Sequence, residues 1–91
     1  MKKVDFRKIM AENIDGEVMP FDIAAELGNG MYMRGMNIEE CELGRVIYKT
    51  SKLKPDEDTA VELSDDQVKI VRRYMAQFPM FLRKGLEKQL S

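Results

Sequence analysis

The clearest hydrophobic pattern lies in the last third of the chain. Val68, Val71, Met75 and Phe78 recur at helical spacing with Tyr74 on the flank, so they share one face of a helix. Ser64 and Gln67 precede that stripe in the order of a capping box, in which hydroxyl and side-chain amide each satisfy a backbone N–H of the first turn. Pro79 has no N–H and its ring collides with the preceding turn, which predicts a kink or a restart. Beyond it Leu82, Leu86 and Leu90 form a second stripe, widened by Phe81. The pattern predicts a kinked C-terminal helical pair.

Two further helices are expected upstream. Asp22 stands where an N-cap belongs, its carboxylate able to accept from free backbone N–H groups. Ile23, Ala24, Leu27 and Met31 then fall on one helical face. Gly28-Asn29-Gly30 interrupts this face, and each helix-interior glycine costs about 1 kcal/mol relative to alanine. Either the helix ends near Leu27, or the glycines permit close packing. The favoured reading runs the helix to about Met33, with Gly35 as its stop. Asn37 opens the next helix, with Glu40 three residues on as a variant capping box. Its stripe is Leu43, Gly44, Ile47 and Tyr48. Gly44 would let another backbone approach, and the glycine-bearing first helix is the neighbour expected there.

The N-terminal pattern is shorter. Val4 to Met10 partly alternates, with Val4, Phe6 and Lys8 on one side, which signals a strand. Asp15-Gly16 is a hairpin dipeptide, and Glu17 to Phe21 is the expected return strand. Pro20 within it argues for an edge. Ala60 to Leu63 is a further short strand that could extend the hairpin, and the Ser, Lys, Pro and acid-rich stretch from about 50 to 59 predicts a mobile loop. The fold class expected is α+β with helix dominant, in a single domain over residues 1–91: a short N-terminal β-hairpin, two central helices and the C-terminal pair.

Composition narrows the chemistry. The chain has 91 residues, a net charge of −1, no histidine and one cysteine, Cys41. Without histidine or a second cysteine there is no Ser-His-Asp triad, no Cys-His nucleophile, no intramolecular disulfide and no cysteine cluster for zinc. No metal or cofactor is expected. No Lys or Arg lies within a few residues of Cys41 before Arg45 to activate it. The acid pairs Glu39 and Glu42, and Asp65 and Asp66, sit at helix starts, where capping and the helix dipole account for them. The chain is expected not to be an enzyme.

The charge is arranged in blocks. Eight acids and one base lie between Glu12 and Glu42, while Lys69, Arg72, Arg73, Arg83, Lys84 and Lys88 face only Glu87 near the end. Opposed blocks in a near-neutral chain invite internal pairing. The same basic residues, chiefly Lys69, Arg72, Arg73, Lys84 and Lys88, could instead contact phosphates, so a small nucleic-acid-binding regulator is the alternative function. A helix-turn-helix at Gly35 is rejected, because the reading helix would enter the groove with Glu39, Glu40 and Glu42 first.

The apolar side offers the leading candidate surface. Phe81, Leu82, Leu86 and Leu90 are many for so short a chain, and left exposed they would mark a partner site. Met31, Met33 and Met36 surround Tyr32. Methionine adapts its shape both to core gaps and to plastic partner surfaces. Met33 falls off the helix stripe and is the one expected in solvent.

Val4-Asp5-Phe6-Arg7, Leu27-Gly28-Asn29 with Tyr32, Glu42-Leu43-Gly44 leading to Ile47-Tyr48, and Val61-Glu62-Leu63-Ser64 together resemble a group of small uncharacterised proteins encoded by bacterial phages and prophages. The resemblance implies a non-enzymatic accessory or assembly role acting through a protein partner or self-association. No apolar run approaches the roughly 18 residues of a membrane span, and no apolar signal core follows the N-terminal lysines. A cytoplasmic location in the bacterial host is expected, and association with a virion is compatible with it.

Overall fold

The computed structural model describes residues 1–54 and 56–90. Its elements run β1 Lys2–Val4, β2 Ile9–Glu12, β3 Val18–Phe21, α1 Ala24–Arg34, α2 Ile38–Thr50, β4 Val61–Leu63, α3 Asp65–Met75 and α4 Met80–Leu90. The fold is α+β with helix dominant.

The N-terminal strand expected over Val4 to Met10 is two strands. Val4, Phe6 and Ile9 are all fully buried, and their spacing of two and then three cannot be met by one alternating strand. A turn intervenes, held by Asp5: its Oδ1 accepts from Arg7 N at 3.0 Å and its carbonyl from Lys8 N at 3.1 Å. β2 pairs antiparallel with β3 across the predicted hairpin, with Met10 opposite Pro20 and Glu12 opposite Val18. Gly16 takes φ +85° in the turn, which glycine adopts without a Cβ clash. Asn13 N donates to Glu17 O. Alternation along the ladder then makes Met10–Pro20 a non-hydrogen-bonded pair. The N–H that proline lacks would face the open edge of β3, where proline blunts further strand addition.

β4 does not extend this hairpin. It pairs antiparallel with β1, Val4 opposite Val61, in a second two-stranded sheet. Helix α4 packs on both sheets and Gln89 ties it to the turn between them: its Oε1 accepts from Asp5 N at 2.9 Å and its Nε2 donates to Lys8 O at 3.1 Å.

Helix α1 continues through Gly28-Asn29-Gly30 to Arg34, one residue past the expectation. Asp22 lies one residue outside the cap position, yet its Oδ1 still accepts from Ala24 N at 3.1 Å. α1 and α2 run antiparallel, residue 28 beside 44 to 48 and residue 35 beside 41. Asn37 caps α2 through Glu40 N at 2.9 Å, and the Ser64–Gln67 capping box of α3 is complete. α4 restarts after Pro79, whose carbonyl takes the amides of Leu82 and Arg83.

The core runs between these layers through Phe6, Leu27, Met31, Ile47, Leu63, Met75 and Leu86. Of the expected loop, Thr50 and Thr59 are buried at either end, Arg7 donates to the carbonyls of Thr50 and Leu53, and Pro55 lies outside the described residues. No described helix is long and apolar enough to cross a membrane.

Candidate functional site

The C-terminal apolar stripe packs within the chain. Leu82, Leu86 and Leu90 are buried at 9%, 1% and 4% exposure, because α4 lies across both sheets and turns this face to them. These three are therefore withdrawn as interface residues. Phe81 keeps 37% exposure and meets Phe21 edge to face, ring centroids 5.3 Å apart. Met33 is in solvent as expected, at 72%.

The structure adds neighbours to Met33. Met36 and Ile38 are 84% and 81% exposed, so three large apolar side chains stand out of the corner between α1 and α2. The backbone there is firmly held: Asn37 caps α2, and Met36 N donates to Glu40 Oε1 at 3.4 Å. Met31, the third methionine around Tyr32, is fully buried. Next to this corner Tyr32, Tyr48 and Arg45 line a slot of about 210 Å³ over Gly28. The Arg45 guanidinium lies 5.3 Å from the Tyr32 ring centre and donates to its hydroxyl at 3.2 Å.

The basic residues of the C-terminal helices are divided by the fold. Arg72 grips Glu87 of α4 with two bonds of 2.9 Å, and this partner raises its pKa. Arg73 reaches Glu40 of α2 at 2.5 Å. Lys69 and Lys84 are exposed, while Lys88 shares a groove with Lys84 beside β2. The expected internal pairing of charge blocks extends to the N-terminus, where Lys3 meets Asp58 and Arg7 meets Asp22, both at 3.4 Å. The amide of Ala60, then Lys3, hold the Asp58 carboxyl below its usual range.

Glu40, expected in the capping box of α2, has a second role that sequence reasoning missed. It is 4% exposed. Its Oε1 receives Arg73, the Tyr74 hydroxyl at 2.8 Å and Met36 N. Arg73 first, and Tyr74 second, lower its pKa. Burial, followed by Glu40, raises that of Tyr74. A carboxylate held ionised by three donors is a poor proton acceptor near neutrality, so the cluster ties α2 to α3. The signal was present in its spacing: Glu40, Leu43, Gly44 and Ile47 follow i, i+3, i+4, i+7.

The acids expected to be ordinary helix-start residues, Glu39, Glu42, Asp65 and Asp66, are all exposed. Cys41 is half-buried, its Sγ 3.5 Å from the carbonyl oxygen of Tyr32. Among the described residues no group of three or more His, Cys, Asp or Glu side chains comes together as a metal site. No family model, no curated protein and no solved structure matches the chain. The likeness to phage and prophage proteins thus stands on the sequence motifs alone.

Proposed function

We propose that this protein is a non-enzymatic binding or assembly module acting through protein–protein contacts, of phage or prophage origin and working in the bacterial cytoplasm. The observation that carries the reading is the corner between α1 and α2, where Met33, Met36 and Ile38 stand 72%, 84% and 81% exposed on a capped, hydrogen-bonded backbone. Apolar side chains gathered on a fixed surface favour a protein partner, and methionine suits a contact that must adapt. The absence of histidine and the single cysteine support a role without catalysis. The resemblance supplies the phage setting.

The rival reading, nucleic-acid binding through the C-terminal helices, is weakened by Arg72 and Arg73, whose guanidinium groups are held by Glu87 and Glu40. The test is capture from a bacterial host lysate by the immobilised protein, compared with a Met36→Glu, Ile38→Glu double variant of unchanged melting temperature. Proteins retained by the wild type and lost by the variant support the reading. An identical set on both, or no retention on either, overturns it.

A further inference from the structure

The chain carries eight methionines, and the fold sorts them by access. Met31 and Met75 are sealed in the core, while Met36 and Met33 are the most exposed after Met1. Met31 and Met33 lie on the same helix, two residues apart, which turns them about 200° from each other around the axis. One sulfur is thus closed to solutes and the other open to them. Met36 and Ile38 line an open groove of about 450 Å³ beside them.

The backbone that carries the two exposed sulfurs is held by other groups. Met36 N donates to Glu40 Oε1 at 3.4 Å, and Asn37 caps α2. Glu40 is fixed in turn by Arg73 and by the Tyr74 hydroxyl. A chemical change at either sulfur therefore alters the surface and leaves the core packing as it is.

We propose that Met33 and Met36 form a reversible oxidation site, with a peroxide as the co-substrate, that converts the α1–α2 corner from apolar to polar. The sulfur lone pair attacks one oxygen of hydrogen peroxide. The S–O bond forms as the O–O bond breaks, and the second oxygen leaves as water with both protons. Sulfur is oxidised by two electrons and the peroxide reduced by two. Two thiols of a sulfoxide reductase reverse the step, becoming a disulfide and releasing water, with one enzyme for each sulfoxide epimer. The inference deepens the protein-binding reading and rests on it. A sulfoxide dipole carried into a dry contact gives up its water without a partner to replace it, so oxidation releases what the corner holds. Ile38 has no such chemistry, and Met31 and Met75 are protected by burial, so the fold survives the change.

The test treats the full chain with hydrogen peroxide and follows each methionine by peptide mass spectrometry. A Met33→Leu, Met36→Leu double variant runs beside it, apolar and of similar volume but without the sulfurs. Met33 and Met36 are expected to gain one oxygen each at least about tenfold faster than Met31 and Met75, which an oxidant reaches only through an opening of the core. The melting temperature stays unchanged while only the exposed sulfurs are oxidised. Retention on phenyl resin and capture of host proteins are read before oxidation, after it, and after both reductases. In the wild type both fall on oxidation and return on reduction. In the double variant, which keeps Cys41 and the other methionines, neither changes. Equal oxidation rates at exposed and buried sulfurs overturn the proposal. So does an oxidised wild type retained as before, or a double variant that responds to peroxide as the wild type does. A chain that captures nothing before treatment removes the partner reading of the corner, and the mass spectra with the phenyl retention still decide the oxidation site.

Discussion

Gly28 and Gly44 meet backbone to backbone. A Cβ on Gly28 would lie 2.6 Å from the Gly44 carbonyl oxygen, and one on Gly44 would lie 2.8 Å from that of Gly28. Neither contact can be relieved by a side-chain rotation, so α1 and α2 would have to separate. Alanine at either position gains about 1 kcal/mol of helix propensity and loses more through overpacking, typically 1–3 kcal/mol and occasionally beyond. Gly28→Ala and Gly44→Ala are each expected to lower the unfolding midpoint in urea. Gly30→Ala is the control, because its Cβ would meet only the flexible end of Arg34 at 2.9 Å. That variant is expected to be neutral or more stable by up to about 1 kcal/mol.

Glu40 makes stability depend on pH at the acid end. Its folded pKa lies below the ordinary value of 4.5, through Arg73 and then Tyr74. A depressed carboxylate contributes stability that is present above the unfolded pKa and lost as pH falls through the folded one. Thermal melts between neutrality and pH 3 are expected to show a fall below about pH 4.5 that is reduced in Glu40→Gln. A parallel fall in both proteins would show that Glu40 is not the source.

Tyr74 acts at the other end. Burial and then Glu40 raise its pKa above the ordinary 10.0. The folded form keeps its proton where the unfolded form has lost it, so this contribution is complete below the unfolded pKa and disappears as pH rises through the folded one. Tyr74→Phe is expected to melt lower at neutral pH, through loss of the bond to Glu40, and to lose part of the alkaline dependence. Melts from pH 8 to 11 measure both.

The Ser64 hydroxyl takes Gln67 N at 3.2 Å, and Gln67 returns a bond to Ser64 N at 2.9 Å. Ser64→Ala is expected to cost about 1 kcal/mol, a drop in melting temperature of roughly 4–8 °C for a domain of this size. Calorimetry checks it.

The binding reading also predicts a negative result. With Arg72 and Arg73 held internally, a labelled DNA or RNA duplex should show no tight, salt-sensitive binding by fluorescence anisotropy. Affinity that falls steeply with added salt, and falls further in Lys69→Ala with Lys84→Ala, would restore the phosphate-contact alternative.

Much of this fold was legible because its signals are local. Asn37, the Ser64–Gln67 pair, Asp15-Gly16 and Pro79 each act within a few residues of themselves, and each ends or begins an element as expected. Gly44 on a helix stripe was enough to anticipate a close neighbour. The pairing of β1 with β4 was not legible, since three residues of each carry no register signal over so long a separation. Burial of Leu82, Leu86 and Leu90 depended on where α4 lies, which their spacing does not specify. The burial of Glu40 was missed because its place in the Asn37 capping box already explained it, although its position on the Leu43–Ile47 face argued inward. The candidate surface was legible only in Met33.

The bond from Asp5 N to Gln89 Oε1 joins residues 84 apart in sequence, and β1 meets β4 across some two thirds of the chain, Lys2 opposite Leu63. The antiparallel α1–α2 pair needs only a short connection. Closing long loops costs more chain entropy than closing short ones, and non-local contacts form late. The helical pair is therefore expected to form first, with the β1–β4 ribbon and the α4 tether assembled last. The same ordering governs opening from the native side. In hydrogen exchange, amides of β1, β4 and the Asp5 turn should open through a cheaper fluctuation than those of central α2, so the molecule comes undone from its seam before its helices part.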